Sequence, residues 1–195
     1  ARKSGALFCY VMDAFALDSS LIPGIADFLG TNILVVINKT DILPANISRK
    51  ELLEGVDRRL SLQHIKPVGY LVTSAFKDFD NKDFIATIDR FRKGKDVYFV
   101  GVSRVGKSAL INNFLKFYDN PTDRTITKER IADSDMALTA IPLDAGSSLY
   151  DTPGIFNPTS LLNQIDRRAL KYVIPKERVK SRTESLRDGE ALLLG

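Results

Sequence analysis

The chain has 195 residues, of which 44% are hydrophobic and 27% charged, and it carries a net charge of +4. That length suits one α/β domain with a real core and little besides, and so small a basic excess argues only weakly for a polyanionic partner. The single cysteine, Cys9, excludes a disulfide framework or a cysteine metal site, no apolar run approaches the roughly 18 residues of a membrane helix, and no secretory signal is visible, so the chain reads as intracellular.

In chain order, the first element is a strand over Leu7–Met12, where Cys9 lies in an apolar run as a small core residue rather than a reactive thiol. A second strand covers Ile33–Ile37. Ser48-Arg-Lys-Glu51 is a capping box that opens a helix to about Leu62, and His64 beyond it reads as a surface residue, not a catalytic base. A third strand covers Val68–Thr73, and Asn81 is placed to cap a helix with Phe84, Ile88 and Phe91 on one face. Val97–Val100 is the fourth strand, and Lys107–Tyr118 sets Leu110, Ile111, Phe114, Leu115 and Tyr118 along a helical stripe. Weaker strands lie near Ala137–Leu143 and Ser147–Tyr150, and Thr159 caps a final helix to about Val173, which Pro175 ends. Buried-looking strands alternating with helices predict a doubly wound α/β sheet, mostly parallel and covered on both faces. The first strand starts almost at the N-terminus, and Glu190–Gly195 looks like a strand beginning, so a fragment of a longer protein is expected.

The strongest local signal is Gly101-Val-Ser-Arg-Val-Gly106-Lys107-Ser108, a phosphate loop that follows the strand ending at Val100 and opens an amphipathic helix. Its glycines let the backbone curl so that N–H groups from Arg104 to Ser108 converge on phosphates, aided by the positive end of the helix. Ser103, Val105 and Ala109 complete the expected phosphate-binding stretch. Lys107 is expected on the β- and γ-phosphates and the Ser108 hydroxyl on Mg²⁺.

The other motifs stand at other strand ends. Asn38-Lys39-Thr40-Asp41 closes the second strand at the edge where α/β sheets bind ligands. A carboxylate at Asp41 accepts from both the N1–H and the exocyclic amine of guanine, a donor pair that adenine lacks. Asn38 would brace the neighbouring loops and the base, and the Lys39 stem would lie along the purine plane. Ser74-Ala75, one strand later, would present the Ala75 N–H to guanine O6. Asp151-Thr-Pro-Gly154 follows the last strand, with Asp151 holding Mg²⁺ through water and the Gly154 N–H sensing the γ-phosphate. The base-reading motifs thus precede the phosphate loop, the reverse of the usual order, which points to a circularly permuted GTPase domain.

The permuted order, with Asp13-Ala-Phe, Ser20-Leu-Ile-Pro-Gly24, Asn38-Lys-Thr-Asp-Ile-Leu-Pro44 and Ser147-Ser-Leu-Tyr-Asp-Thr-Pro-Gly-Ile155, resembles the YqeH family of ribosome-assembly GTPases along essentially the whole chain. RbgA-like and RsgA-like permuted families match less well around Ser147–Ile155. The resemblance implies a three-layer Ras-like fold, hydrolysis of GTP to GDP, and a role in maturing the small ribosomal subunit, in the cytoplasm or an organellar matrix. It also implies a GTPase domain over residues 6–172, then a basic linker and the start of a further domain over 173–195. A zinc module common in the family has no cysteines here.

Departures from the family pattern bear on catalysis. Arg104 stands where the family's phosphate loop usually has an Asn associated with potassium coordination. The switch segment aligns with Ala132-Asp-Ser-Asp135, leaving Ser134 and Asp135 as alternatives for the Mg²⁺-ligating threonine. Ile155 stands where Ras-type enzymes place a water-orienting glutamine. Lys107, Arg104 and Gly154 are the residues expected to act on the transferring phosphate, with two alternatives for Arg104: an arginine finger in cis, or a side chain turned to solvent or to a nearby acid that takes no part. Two functions follow from this pattern: a slow GTPase switch stimulated by a ribosomal particle, or a GTP/GDP-dependent binding module with negligible hydrolysis. Between Arg167 and Arg187 stand Arg167, Arg168, Lys171, Lys176, Arg178, Lys180, Arg182 and Arg187 against only Glu177 and Glu184, either a solvated linker or an RNA-facing edge.

Overall fold

A computed structural model of the chain describes residues 5–77, 80–118, 129–131, 138–158, 160–166 and 168–192. Seven strands form one sheet: β1 (Leu7–Asp13), β2 (Ile33–Asn38), β3 (Gly69–Val72), β4 (Val97–Val100), β5 (Glu129–Ile131), β6 (Leu138–Asp144) and β7 (Ser147–Asp151), in the spatial order β3-β2-β1-β4-β7-β6-β5. From β3 to β7 neighbours run parallel, whereas β6 is antiparallel to β7 and β5 to β6. The fold is therefore the expected mostly parallel α/β sheet, with the phosphate-loop strand β4 between β1 and β7. The weak strand signals resolve into a β6–β7 hairpin, in which Asp144 accepts from the Gly146 N–H at 3.1 Å and closes the turn. The short edge strand β5 has too few apolar residues to stand out in the sequence.

The sheet registers explain the layers. Cys9 pairs with Phe99, and that face carries α3 (Asn81–Arg92) and α4 (Lys107–Tyr118). Phe84 of α3 packs 6.5 Å from Phe99 and 6.2 Å from Phe114 of α4, all three fully buried. Gly69 in β3 leaves room for α3, since a Cβ there would stand 2.7 Å from the Phe91 ring. The opposite face carries Tyr10, Val35 and Tyr70 in register. There the Tyr70 hydroxyl donates to Asp57 of α2 (Arg49–Leu62) at 2.6 Å, and the Tyr10 hydroxyl donates to the Ser20 carbonyl of the one-turn helix α1 (Leu17–Ser20) at 2.9 Å. Helices on both sheet faces give the three layers. Cys9 is buried, and burial pushes its thiol up, so it remains a protonated core residue; His64 is exposed just beyond α2, as expected.

Helix starts follow local hydrogen bonding. The Ser48–Glu51 capping box is formed in both directions, at 3.2 and 2.8 Å. For α3 the cap is Asp80, not Asn81: its carboxylate accepts from the Asp83 N–H at 3.0 Å, and the charged acceptor one residue earlier wins. The single final helix is also corrected. Two separate turns stand in its place, α5 (Leu161–Gln164) and α6 (Leu170–Val173), and Thr159 lies outside the described residues. Polar side chains there bond backbone locally: Asn163 donates to the Asn157 carbonyl at 2.8 Å, Gln164 to the Pro158 carbonyl at 2.9 Å, and Asp166 accepts from the Arg168 N–H at 2.6 Å. Such bonds compete with helix continuation. Residues 190–192 are not in a strand, and 193–195 lie outside the described residues.

Phe84 is the keystone of the layer beneath the phosphate-loop helix. Phe84→Ala is expected to lower unfolding free energy by about 3–5 kcal/mol in urea denaturation, the range for emptying a closed aromatic site; a loss below about 1 kcal/mol would contradict this packing.

Candidate functional site

The parallel strands deliver the motifs to one edge of the sheet. β2 ends in Asn38, β3 runs into Thr73-Ser74-Ala75, β4 into Gly101–Ser108, and β7 ends in Asp151. Asn38 is completely buried. Its Nδ2 donates to the Val105 carbonyl of the phosphate loop at 2.9 Å, and its Oδ1 accepts from the Ala75 N–H at 3.0 Å. One amide thus ties the phosphate loop to the loop after β3, as expected of a brace. Gly106 makes room for it: its φ is +89°, and a Cβ would stand 2.3 Å from Asn38 Nδ2.

The end of the cleft expected to read the base holds Asp41. The turn Thr40–Ile42 is held by the Thr40 hydroxyl, which donates to the Thr73 carbonyl at 3.0 Å. The Ser74 hydroxyl donates to Asp41 at 2.6 Å and accepts from the N–H groups of Phe76 and Lys77. Lys39, with φ of 65°, forms an ion pair with Asp13, a buried carboxylate at the end of β1. That pairing stretches the Lys39 stem along the cleft wall. The Ala75 N–H, the group expected on guanine O6, donates here to Asn38, and Asn113 of α4 donates to the Ala75 carbonyl at 2.6 Å.

At the phosphate end, Lys107 is buried, with its Nζ 3.1 Å from Asp151 Oδ1, and the Ser108 hydroxyl donates to Asp151 Oδ2 at 3.3 Å. The segment after Asp151 runs beside the phosphate loop: the Ser103 N–H donates to the Ile155 carbonyl at 2.9 Å and the Ile155 N–H to the Gly101 carbonyl at 3.1 Å. Gly154 permits this approach, since a Cβ would fall 2.9 Å from Ser103 Cα. Arg104 is exposed at the loop tip with φ of 71°, a left-handed conformation unusual for a side chain of its size. The segment expected to supply a switch ligand, including Ser134 and Asp135, lies outside the described residues.

These elements enclose a cleft of about 810 Å³, lined by Lys39, Asp41, Ser103, Arg104, Gly106, Lys107, Ser108, Ala109 and Gly154 among others. Val105 and Asn38 lie buried behind its wall, Ser74 supports Asp41, and Asp151 faces Lys107. Several contributors have no role that the sequence assigns. Asp13 opens the Asp13-Ala-Phe run, but its part in the site comes from the register that sets it opposite Asn38. Phe76, 80% exposed in the cleft, and Ile174, Pro175 and Lys176 on its wall carry no motif at all.

The sequence profile described as RsgA GTPase matches residues 13–161. The uncharacterized protein YqeH of Bacillus subtilis is 37% identical over 194 residues, covering 99% of this chain and 53% of that protein. A putative nitric oxide synthase of Oryza sativa subsp. japonica is 28% identical over 100% of this chain and 37% of its own length. The NO-associated protein 1, chloroplastic/mitochondrial, of Arabidopsis thaliana is 30% identical over 79% of this chain and 29% of its own length. The chain therefore spans about half of the Bacillus relative and less of the plant ones. Among the described residues, no helix is long and apolar enough to cross a membrane.

Gly106→Ala sets a Cβ against the Asn38 amide in a backbone conformation that disfavours it. It is expected to lower stability by about 2–4 kcal/mol, the sum of a strained φ and a broken buried bond. Gly146→Ala, with nothing within 4 Å of the new Cβ, is the control and should stay within about 0.5 kcal/mol. Equal thermal denaturation of the two variants would contradict the Asn38 brace.

Proposed function

This chain belongs to the RsgA GTPase family, and from that premise we propose that it is a GTP-driven switch acting in assembly of the small ribosomal subunit, in the cytoplasm or an organellar matrix. The domain is a P-loop GTPase. One observation carries the reading of its site: the guanine-reading loop at Asp41 and the phosphate loop open into a single cleft, joined behind by Asn38. We assign residues 6–172 to the GTPase domain and 173–195 to a basic linker leading into a further domain.

In this reading Asp41 accepts the two guanine donors, and Ser74 holds its carboxylate in place. The phosphate-loop N–H groups and Lys107 take the phosphates, with Lys107 exchanging its Asp151 partner for phosphate oxygen. Ser108 and Asp151 suit a Mg²⁺ ion: they are hard oxygen donors in contact with each other, and no cluster of three or more carboxylates, histidines or cysteines among the described residues offers a full protein cage. When bound, that ion would neutralise charge on the β- and γ-phosphates. Hydrolysis adds a water oxygen to the γ-phosphorus and breaks its bond to the β–γ bridging oxygen, releasing GDP and phosphate. Arg104 lines the cleft and, among the described residues, has no hydrogen-bond or ion-pair partner, which supports a role for its fixed charge near the bridging oxygen. The second reading, a binding module with negligible hydrolysis, draws on Ile155, an apolar side chain packed against the core where a water-orienting group would help. Single-turnover hydrolysis with and without small ribosomal subunits separates the two. Support for an RNA-facing edge comes from Arg168, Lys176, Arg178 and Lys180, all exposed.

Asp41→Asn is expected to lose several kcal/mol of guanine affinity, at roughly 1.5–3 kcal/mol for each bond to the carboxylate, and to gain preference for xanthine nucleotides. Equal binding of GTP and ATP by the unaltered chain in a fluorescence titration would overturn the base assignment. If Arg104 supplies charge, hydrolysis should be indifferent to replacing potassium by sodium, and Arg104→Ala should slow single-turnover hydrolysis while leaving GDP affinity unchanged. Clear potassium stimulation of the unaltered chain would contradict that role.

A further inference from the structure

We propose that Ile174-Pro175-Lys176 is a further part of the nucleotide site, a clasp that closes over the base-and-ribose end of a bound guanine nucleotide and slows its release; this deepens the reading above and rests on it. The three residues line the main cleft together with Lys39, Asp41 and Ile42. Ile174 and Pro175 also line a second cleft of about 470 Å³ that shares Lys39 and Ile42 and reaches Asp13 and Arg59. The segment is therefore a thin partition with open space on both sides, standing at the base-reading end.

What holds it there is a short set of tethers rather than secondary structure. Upstream, Leu170 of α6 is buried. Downstream, the Val179 N–H donates to the Ile42 carbonyl at 2.9 Å, and the Ser181 hydroxyl donates to Asn46 at 2.6 Å. Ile42 ends the same turn that carries Asp41, so the clasp is bonded by its backbone to the residue group that reads guanine. Its chemistry suits a nucleotide: half-buried Ile174 and Pro175 offer apolar surface for a purine or ribose face, and exposed Lys176 adds a cation to the same wall. Pro175 fixes one backbone torsion and leaves no unpaired N–H facing the cleft. A ligand filling the cleft gains contacts with a wall tied to its own recognition turn, and leaving requires that wall to give way.

The test removes the tether without touching the wall. Val179→Pro lacks the N–H that reaches Ile42, and Val179→Ala keeps it. Dissociation of a fluorescent GDP analogue, chased by excess GDP, is expected to be roughly five- to tenfold faster for Val179→Pro than for the unaltered chain or Val179→Ala, as for loss of one net hydrogen bond and its neighbouring contacts read mainly in the off-rate. Preference for GTP over ATP should not change. In the unaltered chain, GDP should slow tryptic cleavage after Lys176 and Arg178. Equal dissociation rates for a folded Val179→Pro, or cleavage there unaffected by GDP, would overturn the clasp. If Val179→Pro does not fold, the cleavage measurement on the unaltered chain decides alone. An unaltered chain that held no guanine nucleotide would sink the proposed function itself, whereas normal GDP binding with unchanged release would sink only the clasp.

Discussion

The site hangs on a buried side-chain amide. Asn38 sits at the end of a strand with no access to water, so both ends of its amide must find partners within the protein. They find the Val105 carbonyl in the phosphate loop and the Ala75 N–H after β3, segments far apart in the chain. Because an unpaired buried amide costs about 1–3 kcal/mol for each group, the two loops are fixed to each other by the need to satisfy one residue. Gly106 follows from the same constraint, since any larger residue would displace the amide. The Thr40–Ile42 turn, the phosphate loop and the cleft between them take their mutual positions from this point.

That arrangement explains why the order of motifs along the chain does not alter the site. What counts is spatial strand order, β3-β2-β1-β4-β7, which lines up base-reading loop, brace, phosphate loop and Asp151 along one sheet edge. The chain enters at β1 and β2, crosses from β3 back to β4 through α3, and reaches β7 last. Arg92 at the end of α3 secures that crossing, donating to Asp89 at 2.5 Å, Asp144 at 2.8 Å and Ser147 at 2.7 Å. Ion pairs then set the cleft's charges: Lys39 on Asp13 at one end, Lys107 on Asp151 at the other. Each cation is buried enough to need a partner, and each partner is one that a bound polyphosphate or purine would rearrange or lie against.

Much of this was readable in the residues. Continuous apolar runs announced β1, β2 and β4 because both of their faces are covered, and the capping box at Ser48 announced α2 because its bonds are local. The phosphate loop was legible from its spacing after a strand and before a helix, and it lines the same cleft as Asp41. The failures have two causes, competition between neighbouring polar groups and the dependence of a contact on distant parts of the chain. Asp80 rather than Asn81 caps α3, a choice between adjacent acceptors that propensity does not separate. The single helix expected before Pro175 is broken by side chains of Asn163, Gln164 and Asp166 turning back on the backbone. The bond from the Ala75 N–H to Asn38, dozens of residues away, is likewise invisible to any local pattern. Ile174–Lys176 reached the cleft through a bond to Ile42 that no local pattern encodes.

If Asn38 joins loops from separate strands into one guanine-nucleotide site, hydrogen exchange followed by mass spectrometry, with and without GDP, should show it. GDP is expected to protect Gly101–Ala109, Asn38–Ile42 and Ser74–Ala75 together, over the same range of concentration, and ADP neither of the last two. Protection confined to Gly101–Ala109, or equal protection by ADP throughout, would contradict it.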